Sequence, residues 1–263
     1  WPRSSTPCFE APCSDARCPE RCSERARPTP PNPLRPVSLI VSISGIRGVF
    51  GSGLHPTNLV RFSAAYGMWA RERSESPLIV VGRDSRVTGQ ICEDVVCATL
   101  QSVGCDVIRT GIVPTPTLAM AVMHHEATGG IVISASHNPG EWNALKLLDS
   151  AGEFLNAEQG ANVLRWMEKV ERQDSGTPDA APAEDPVWRD YASIGSVRTD
   201  HDAIERHIQA VLDHPLIDRD RIARGGFRVA VDAVNGAGSE AIPQLLQALG
   251  AACLPLHCTP DGR

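Results

Sequence analysis

The chain has 263 residues and a formal net charge of −6, with 42% hydrophobic and 21% charged residues. These values are typical of a soluble globular protein of one to two domains, and they argue against a protein that binds nucleic acid through its overall charge. The sequence lacks a run of about 18 apolar residues, and its first residues lack the apolar core of a signal peptide. We therefore expect neither a membrane nor a nucleic-acid partner.

Residues 1–36 differ from the rest of the chain, since they contain nine of the 21 prolines and four of the nine cysteines. They show no hydrophobic periodicity, so we predict a disordered extension. Trp1 is the first residue and Met68 the first methionine, so we expect a chain that is incomplete or wrongly started, with its native start close to Val37. The cysteine spacings fit a zinc site poorly, and a metal site, a disulfide knot and non-native sequence stay open for Cys8, Cys13, Cys18 and Cys22.

From Val37 onward, strand-like and helix-like segments alternate. Short apolar runs predict buried strands, and apolar residues at helical spacing predict helices, the first of them capped by Thr57. This alternation predicts an α/β fold with a mixed, largely parallel sheet sandwiched by helices. The predicted strands are Leu39–Ser44, Leu78–Gly82, Cys105–Thr110, Gly130–Ser134 and Ala144–Leu148, and the further helices are Ile91–Val103, Thr117–His125 and Ala157–Val170.

A second, shorter unit follows this first domain, which we place at residues 37–172. Residues 173–200 are rich in Pro, Gly and acids, which predicts a linker, although a solvated loop within one domain fits them nearly as well. Residues 201–263 contain too few strands to bury both faces of a sheet, so we predict a truncated second domain. Its predicted elements are helix His201–Leu212, strand Phe227–Val234, helix Ser239–Leu249 and strand Cys253–Leu256.

The remaining cysteines lie in apolar runs, which predicts buried free thiols and a reducing compartment, the cytoplasm. They are Cys92, Cys97, Cys105, Cys253 and Cys258.

The segment Ser134-Ala-Ser-His-Asn-Pro139 carries the most chemical information, because it begins where a buried strand ends, and open α/β sheets bind ligands at that edge. Pro139 stiffens the turn, Ser136 projects from it, Asn138 can orient an anion, and Lys146 adds a positive charge ten residues after Ser136. These groups suit phosphoryl transfer. An ordinary Asn-Pro turn is the structural alternative, and a serine hydrolase is disfavoured because glycine is absent on both sides of the serine.

Two further segments place arginines after predicted strands. Arg47 lies between Gly45 and Gly48, where a backbone can approach a phosphate closely. Arg83 and Arg86 lie on either side of Asp84, and each such segment alone is also explained by a loop-stabilising ion pair. Together with Lys146 they give three cationic segments, each interpreted as a loop that follows a strand.

These segments together resemble the α-D-phosphohexomutase family, which includes phosphoglucomutases, phosphomannomutases and phosphoglucosamine mutases. The resemblance covers roughly residues 38–263, and residues 142–146 and 232–236 are most similar to the phosphoglucosamine mutases. The matching motifs are Ser-Gly-Ile-Arg-Gly at 44–48, Val-Gly-Arg-Asp-x-Arg at 81–86, Ser-Ala-Ser-His-Asn-Pro at 134–139, Trp-Asn-Ala-Leu-Lys at 142–146, Gly-Glu-Phe at 152–154, Val-Asp-Ala-Val-Asn-Gly-Ala-Gly at 231–238 and Pro-Asp-Gly at 260–262.

The resemblance implies that Ser136 is a phosphoserine that exchanges its phosphoryl group with a hexose phosphate, through a bisphosphate, so that phosphate moves between C6 and C1. It implies Mg²⁺ as cofactor, bound in part through the phosphate on Ser136. Arg47 and Lys146 would stabilise the transferring phosphate and bind substrate phosphate. His137 and Asn138 would shape the loop, with His137 also a candidate general base and Asn138 a candidate phosphate ligand. Arg83, Asp84 and Arg86 are expected to brace the loop rather than to touch substrate.

The chain departs from the family pattern after its second βαβ unit. The Asp-Gly-Asp-x-Asp-Arg metal loop and the later sugar and phosphate loops have no counterpart, since Asp261-Gly262-Arg263 resembles an earlier loop. We therefore expect a fragment of an intramolecular phosphotransferase that is inactive as a mutase, with glucosamine phosphate as the favoured sugar of the whole enzyme. The alternatives are a phosphomannomutase or phosphoglucomutase, a non-catalytic sugar-phosphate-binding module, and a phosphatase in which water takes the phosphoryl group. The oligomeric state is not predicted.

Overall fold

The computed structural model describes residues 39–42, 45–174 and 186–262. The predictions for residues 1–36, including Cys8, Cys13, Cys18 and Cys22, lie outside the described residues. The same holds for Ile43, Ser44 and residues 175–185 of the predicted linker.

Strands and helices alternate along the described chain, as the sequence predicts. The strands are β1 Ile40–Ser42, β2 Gly45–Val49, β3 Leu78–Arg83, β4 Asp106–Ile112, β5 Gly129–Ile133, β6 Trp142–Leu148, β7 Val197–Thr199, β8 Arg228–Asp232 and β9 Ala252–Leu256. The helices are α1 Pro56–Arg71, α2 Gly89–Ser102, α3 Thr115–His124, α4 Ala157–Asp174, α5 Ala203–Leu212, α6 Arg219–Arg224 and α7 Gly238–Ala248.

Within the described residues, seven strands form one mixed sheet in the order β1-β2-β6-β5-β3-β4-β7. Strands β5, β3, β4 and β7 are parallel, whereas β1, β2, β6 and β5 pair antiparallel. One apolar core contains buried side chains of α1, α2 and α4, and a second contains those of α3 and α5. Because helices cover the sheet through two separate cores, the predicted α/β sandwich is confirmed.

The predicted first strand over residues 39–44 is confirmed for Ile40–Ser42, and the described chain continues in a second strand that the sequence does not predict. Strands β1 and β2 form a hairpin in which Ser42 pairs with Gly45, and Gly45 has a φ of +136° that favours glycine. The two strands are therefore antiparallel neighbours, and Gly45–Val49 is a strand where the sequence indicates a loop. As a consequence, Arg47 lies within a strand and not in a loop, and β2 pairs with β6 along its whole length.

Helix α1 begins two residues earlier than the Thr57 cap implies. Pro56 occupies the first helical position, and His55 precedes it in extended conformation. A proline is favoured there because its fixed φ suits the helix and its missing N–H leaves no donor unpaired. The prediction of Thr57 as the cap is therefore wrong, although the helix itself is confirmed.

Part of the predicted linker belongs to the large sheet. Strand β7 pairs in parallel with β4, and the Val187 side chain is buried. The sequence does not predict strand β7 or helix α6, since they are three and six residues long and carry no resolvable periodicity. Strands β8 and β9 form a parallel pair beside α7, as predicted for the second unit. The domain boundaries themselves stay a prediction.

Cys92, Cys97 and Cys105 are buried free thiols, as predicted, and burial raises the pKa of each to about 12. Cys253 and Cys258 are also free, as predicted, but the predicted burial is wrong: they are half-buried because they lie on or beside an exposed strand. Across the described ranges, the helices are all too short or too polar to cross a bilayer.

Candidate active site

The serine loop, defined here as residues 134–142, leads from β5 into the first residue of β6 and lies at the carboxyl end of the parallel strands. Ser136 is exposed at its tip and has a φ of +57°, a conformation that an L-residue adopts only when its surroundings impose it. The Ser136 N–H donates to Ser134 Oγ at 3.1 Å, and the Asn138 N–H donates to the Ala135 carbonyl at 3.1 Å. These bonds turn the loop back on itself and leave the Ser136 hydroxyl open to solvent.

His137 and Asn138 lie beside the serine in this loop. Nδ1 of His137 is 3.5 Å from Ser136 Oγ, at the outer limit for a hydrogen bond, and both side chains are exposed. Oδ1 of Asn138 is buried, and the described part of the chain offers it no hydrogen-bond partner. A buried acceptor without a donor is unfavourable, so this oxygen has capacity for a ligand or a water.

Arg86 is hydrogen-bonded to the backbone of the serine loop. Its two terminal nitrogens donate to backbone carbonyls of the loop at 2.6 to 3.0 Å, and its Nε donates to Asp84 Oδ2 at 3.0 Å. The Arg86 backbone N–H donates to the other Asp84 oxygen at 3.0 Å. The expectation of bracing is confirmed for Arg86 with Asp84 but is wrong for Arg83, whose side chain bonds Glu93 and Gln90 instead of the serine loop. The four accepting carbonyls are those of Ser136, Asn138, Pro139 and Trp142.

Arg47 and Lys146 lie on adjacent antiparallel strands, β2 and β6. Gly45 pairs with Lys146 and Arg47 with Ala144, so the two cations share one face of the sheet. Partial burial lowers the pKa of Lys146, and the positive charges of Arg47 and Arg86 lower it further, while Asp84 opposes them. Both cations line a cavity of about 270 Å³. Such a pair can stabilise an anion near the edge of the sheet.

Comparison with known proteins gives the family. Residues 39–174 match the family described as phosphoglucomutase/phosphomannomutase, alpha/beta/alpha domain I. The chain belongs to this family. It is 38% identical over 219 residues to a phosphoglucomutase/phosphomannomutase of Thermococcus kodakarensis, and 34% identical over 222 residues to a phosphoglucosamine mutase of Delftia acidovorans. These alignments cover 83% of this chain but only 44% and 45% of the relatives, so the chain spans less than half of their length.

Two solved structures have the same fold as this phosphohexomutase-family chain. A structure from Thermus thermophilus, provisionally named a phosphomannomutase, superposes with a TM-score of 0.69 at 25% identity over 87% of this chain and 47% of its own. A family protein from Burkholderia thailandensis gives a TM-score of 0.62 at 21% identity over 85% of this chain and 46% of its own.

The serine loop of this family member faces its second βαβ unit across a cavity of about 610 Å³, within the size range of small-molecule sites. Ser85 Oγ donates to the Asn235 carbonyl at 2.6 Å, and Val234 and Asn235 have φ values of +44° and +52°. Backbone strain of this kind persists only where surrounding contacts impose it. The cavity is lined by Ser134, Ser136, His137, Asn138 and Gly140 on one side and by Ala233, Val234, Gly236, Ala237 and Gly238 on the other, and also by Asp84, Ser85, Arg86 and Gly262.

The structure divides the predicted site residues between two cavities. Ser136, His137 and Asn138 line the larger one, whereas Arg47 and Lys146 line the smaller one. The sequence did not identify Asn143 as a buried hydrogen-bonding residue beside the site. Its side chain is fully buried and donates to Thr88 Oγ1 at 3.0 Å. Its position as an amide between Trp142 and Ala144 in a mainly apolar strand was the available signal.

The described residues do not by themselves fit a Mg²⁺ ion. Among residues 39–42, 45–174 and 186–262, three or more His, Cys, Asp or Glu side chains nowhere converge as a metal site. Phosphorylated Ser136 would add phosphate oxygens, but Mg²⁺ prefers about six oxygen ligands in octahedral geometry.

Proposed function

We propose that this chain carries a phosphoryl group on Ser136 and exchanges it with a hexose phosphate, as the phosphoryl-carrying part of a phosphohexomutase. The observation that carries the proposal is the exposed Ser136, held in a left-handed conformation at the end of β5 by a loop bonded to Arg86. The chain spans less than half of the relatives' length, so the complete mutase reaction described next is itself proposed.

The proposed reaction has two balanced phosphoryl transfers. In the first, the P–O bond to Ser136 Oγ breaks, a new P–O bond forms to the C1 hydroxyl of a hexose 6-phosphate, and the hydroxyl proton passes to Oγ. In the second, the phosphoryl group on C6 of the resulting bisphosphate moves to Ser136 by the reverse chemistry. The net result is movement of phosphate between C6 and C1.

Each predicted site residue has a role in this proposal. Arg47 and Lys146 stabilise the negative charge that spreads over the transferring phosphoryl oxygens, since positioning and charge neutralisation dominate such reactions. Asn138 offers its side-chain amide to the substrate phosphate, as the family resemblance implies. His137 relays the hydroxyl proton, which requires its ring to move closer to Ser136 Oγ than the present 3.5 Å.

Glucosamine phosphate is the proposed sugar, because relatives such as that of Delftia acidovorans are named phosphoglucosamine mutases. Mannose and glucose phosphates are the alternative, supported by the phosphoglucomutase/phosphomannomutase of Thermococcus kodakarensis. Mg²⁺ is the proposed cofactor on the family resemblance. The cytoplasm is the proposed compartment, because the buried free thiols of the first core suit a reducing environment.

The test is phosphorylation of the purified chain by a hexose 1,6-bisphosphate with Mg²⁺, measured by intact mass and peptide mapping. We expect one phosphoryl group on Ser136, none in Ser136→Ala, and normal labelling in Ser102→Ala, which removes an exposed hydroxyl on α2. Binding of the bisphosphate without labelling would instead favour a sugar-phosphate-binding module. Release of inorganic phosphate from Ser136 would favour a phosphatase. Labelled protein is then offered glucosamine, glucose and mannose 6-phosphates to rank the acceptors.

A further inference from the structure

The side chain of Arg86 uses all its hydrogen-bonding capacity on two targets. Its five N–H donors meet the carboxylate of Asp84 and four carbonyl oxygens of the serine loop, and its side chain is only 10% exposed. The accepting carbonyls belong to residues that are 50 to 56 positions away in sequence. One guanidinium therefore constrains the backbone of the serine loop from Ser136 to Trp142.

We infer that Arg86 is a positioning residue for phosphoryl transfer: it lines the same cavity as Ser136, but its five donors are already engaged, so it fixes the location of Ser136 Oγ through the loop backbone. This inference rests on the proposed function of Ser136. Arg86 donates to the Ser136 carbonyl at 2.9 Å and to the Asn138 carbonyl at 2.7 Å, and so holds the backbone on both sides of His137. Since Ser136 is in a left-handed conformation, a loop without these bonds would relax to ordinary backbone angles and move the hydroxyl.

The segment that carries Arg86 is itself anchored at both ends. The Asp84 N–H donates to the Ile133 carbonyl at 3.0 Å, which fixes the segment to the end of β5. On the other side, Ser85 Oγ donates to the Asn235 carbonyl of the second βαβ unit at 2.6 Å. Arg86 therefore holds the serine loop relative to both walls of the larger cavity.

A lysine at this position cannot reproduce the arrangement. Lysine has three donors on one nitrogen, whereas the planar guanidinium reaches five acceptors at once. Arg86→Lys thus retains the positive charge and removes most of the positioning.

Arg83 provides a matched control within the same segment. Its side chain is 16% exposed, similar to that of Arg86, and within the described residues it bonds Glu93, Gln90 and the Asp84 carbonyl, away from the serine loop. Arg83→Lys perturbs an ion pair of comparable burial, so it reports what a loss of stability alone does to the loop.

The experiment compares the wild-type chain, Arg86→Lys and Arg83→Lys by two measurements. The first is amide hydrogen exchange of residues 135–142, which needs no catalytic activity. The second is the rate of Ser136 phosphorylation by a hexose 1,6-bisphosphate. We expect Arg86→Lys to accelerate exchange in the loop and to slow phosphorylation by about 10- to 100-fold, since a displacement of about 1 Å has effects of this order. Arg83→Lys is expected to match the wild type in both, once corrected for the folded fraction.

Chemical rescue separates positioning from general destabilisation. Guanidinium ion, added to Arg86→Ala below concentrations that unfold the chain, is expected to recover part of the lost phosphorylation rate, and ammonium ion is not. Phosphorylation of Arg86→Lys at the wild-type rate, unchanged loop exchange, or an equal loss in Arg83→Lys would each overturn the inference. A wild-type chain that stays unphosphorylated would refute the proposed function instead, and loop exchange would still decide whether Arg86 positions the loop.

Discussion

Asp200 joins helix α3 to helix α5 and is the site of the most quantitative prediction. Its Oδ2 is 2.8 Å from Nε2 of His125, at the end of α3, and also accepts a hydrogen bond from Arg206 on α5. Its Oδ1 accepts from the Asp202 N–H at 3.0 Å, and the side chain is only 6% exposed. Asp200→Asn keeps the shape of the group and removes its charge.

The magnitude follows from the pKa of Asp200. Burial acts to raise this pKa, but the bonds from Arg206 and His125 outweigh it and hold the pKa at about 2, against an ordinary value of 3.8. Each tenfold change in proton affinity corresponds to about 1.4 kcal/mol, so the carboxylate contributes about 2 kcal/mol to folding. The larger cost of breaking a fully buried ion pair does not apply, because the Arg206 side chain is 29% exposed and keeps contact with water.

Urea denaturation at neutral pH measures this loss. With a slope of about 2 kcal/mol per molar urea, Asp200→Asn should unfold about 1 M earlier than the wild type. Asp202→Asn is the matched control. It removes an equal charge only two residues from Asp200, and within the described helix the Asp202 side chain makes no cap hydrogen bond. Equal midpoints for these two variants would refute the reasoning.

The same prediction has a definite pH dependence. A carboxyl whose folded-state pKa is depressed stabilises the fold above its unfolded-state pKa, and this contribution is lost as the pH falls through the folded-state value. The difference between wild type and Asp200→Asn should therefore be complete above about pH 4 and shrink toward about pH 2. A difference that stays constant over this interval would contradict the assigned cause.

Three further predictions concern the sheet that supports the site. Gly45→Ala would bring a methyl group against the Leu145 carbonyl at a φ of +136°, so we expect a loss of at least about 2 kcal/mol in urea unfolding, and an unchanged midpoint would contradict this contact. Tyr66→Phe removes a buried hydroxyl that donates to the Leu148 carbonyl at 2.6 Å, for an expected loss of about 1 to 3 kcal/mol by the same assay. Burial lowers the pKa of Lys146, so as the pH rises the wild-type rate of Ser136 phosphorylation should begin to fall below pH 10.5, when Lys146 loses its charge. In Lys146→Arg the charge is retained, and the rate should stay level to higher pH. Identical pH profiles would exclude the role proposed for Lys146.

The alternation of strands and helices can be predicted from sequence because it depends on local periodicity. The buried strands β3, β5 and β6 and the helices α1, α2 and α4 all follow from the pattern, with boundaries that differ by a few residues. The serine loop is also located correctly, because Pro139 and the apolar run before it act over a few residues. Local chemistry is therefore sufficient to find the segment that carries the candidate nucleophile.

Contacts between distant segments decide the rest. The glycines that flank Arg47 suggest turns and place it in a loop, yet β2 is a strand because β6 supplies its hydrogen-bond partners about 100 residues later. The composition of residues 197–199 places them in a linker, yet they extend the sheet because β4 has an open edge beside them.

What the sequence by itself determined is the order of the elements and the position of Ser136 at the end of a strand. What only the tertiary structure decided is which cations face each other and which arginine holds the serine loop. Arg86 and Arg83 are two positions of one motif and look equivalent in sequence, but one bonds four loop carbonyls and the other a glutamate on α2. The physical reason is that hydrogen bonds to backbone carbonyls depend on where the chain passes in space, which no local pattern of side chains encodes.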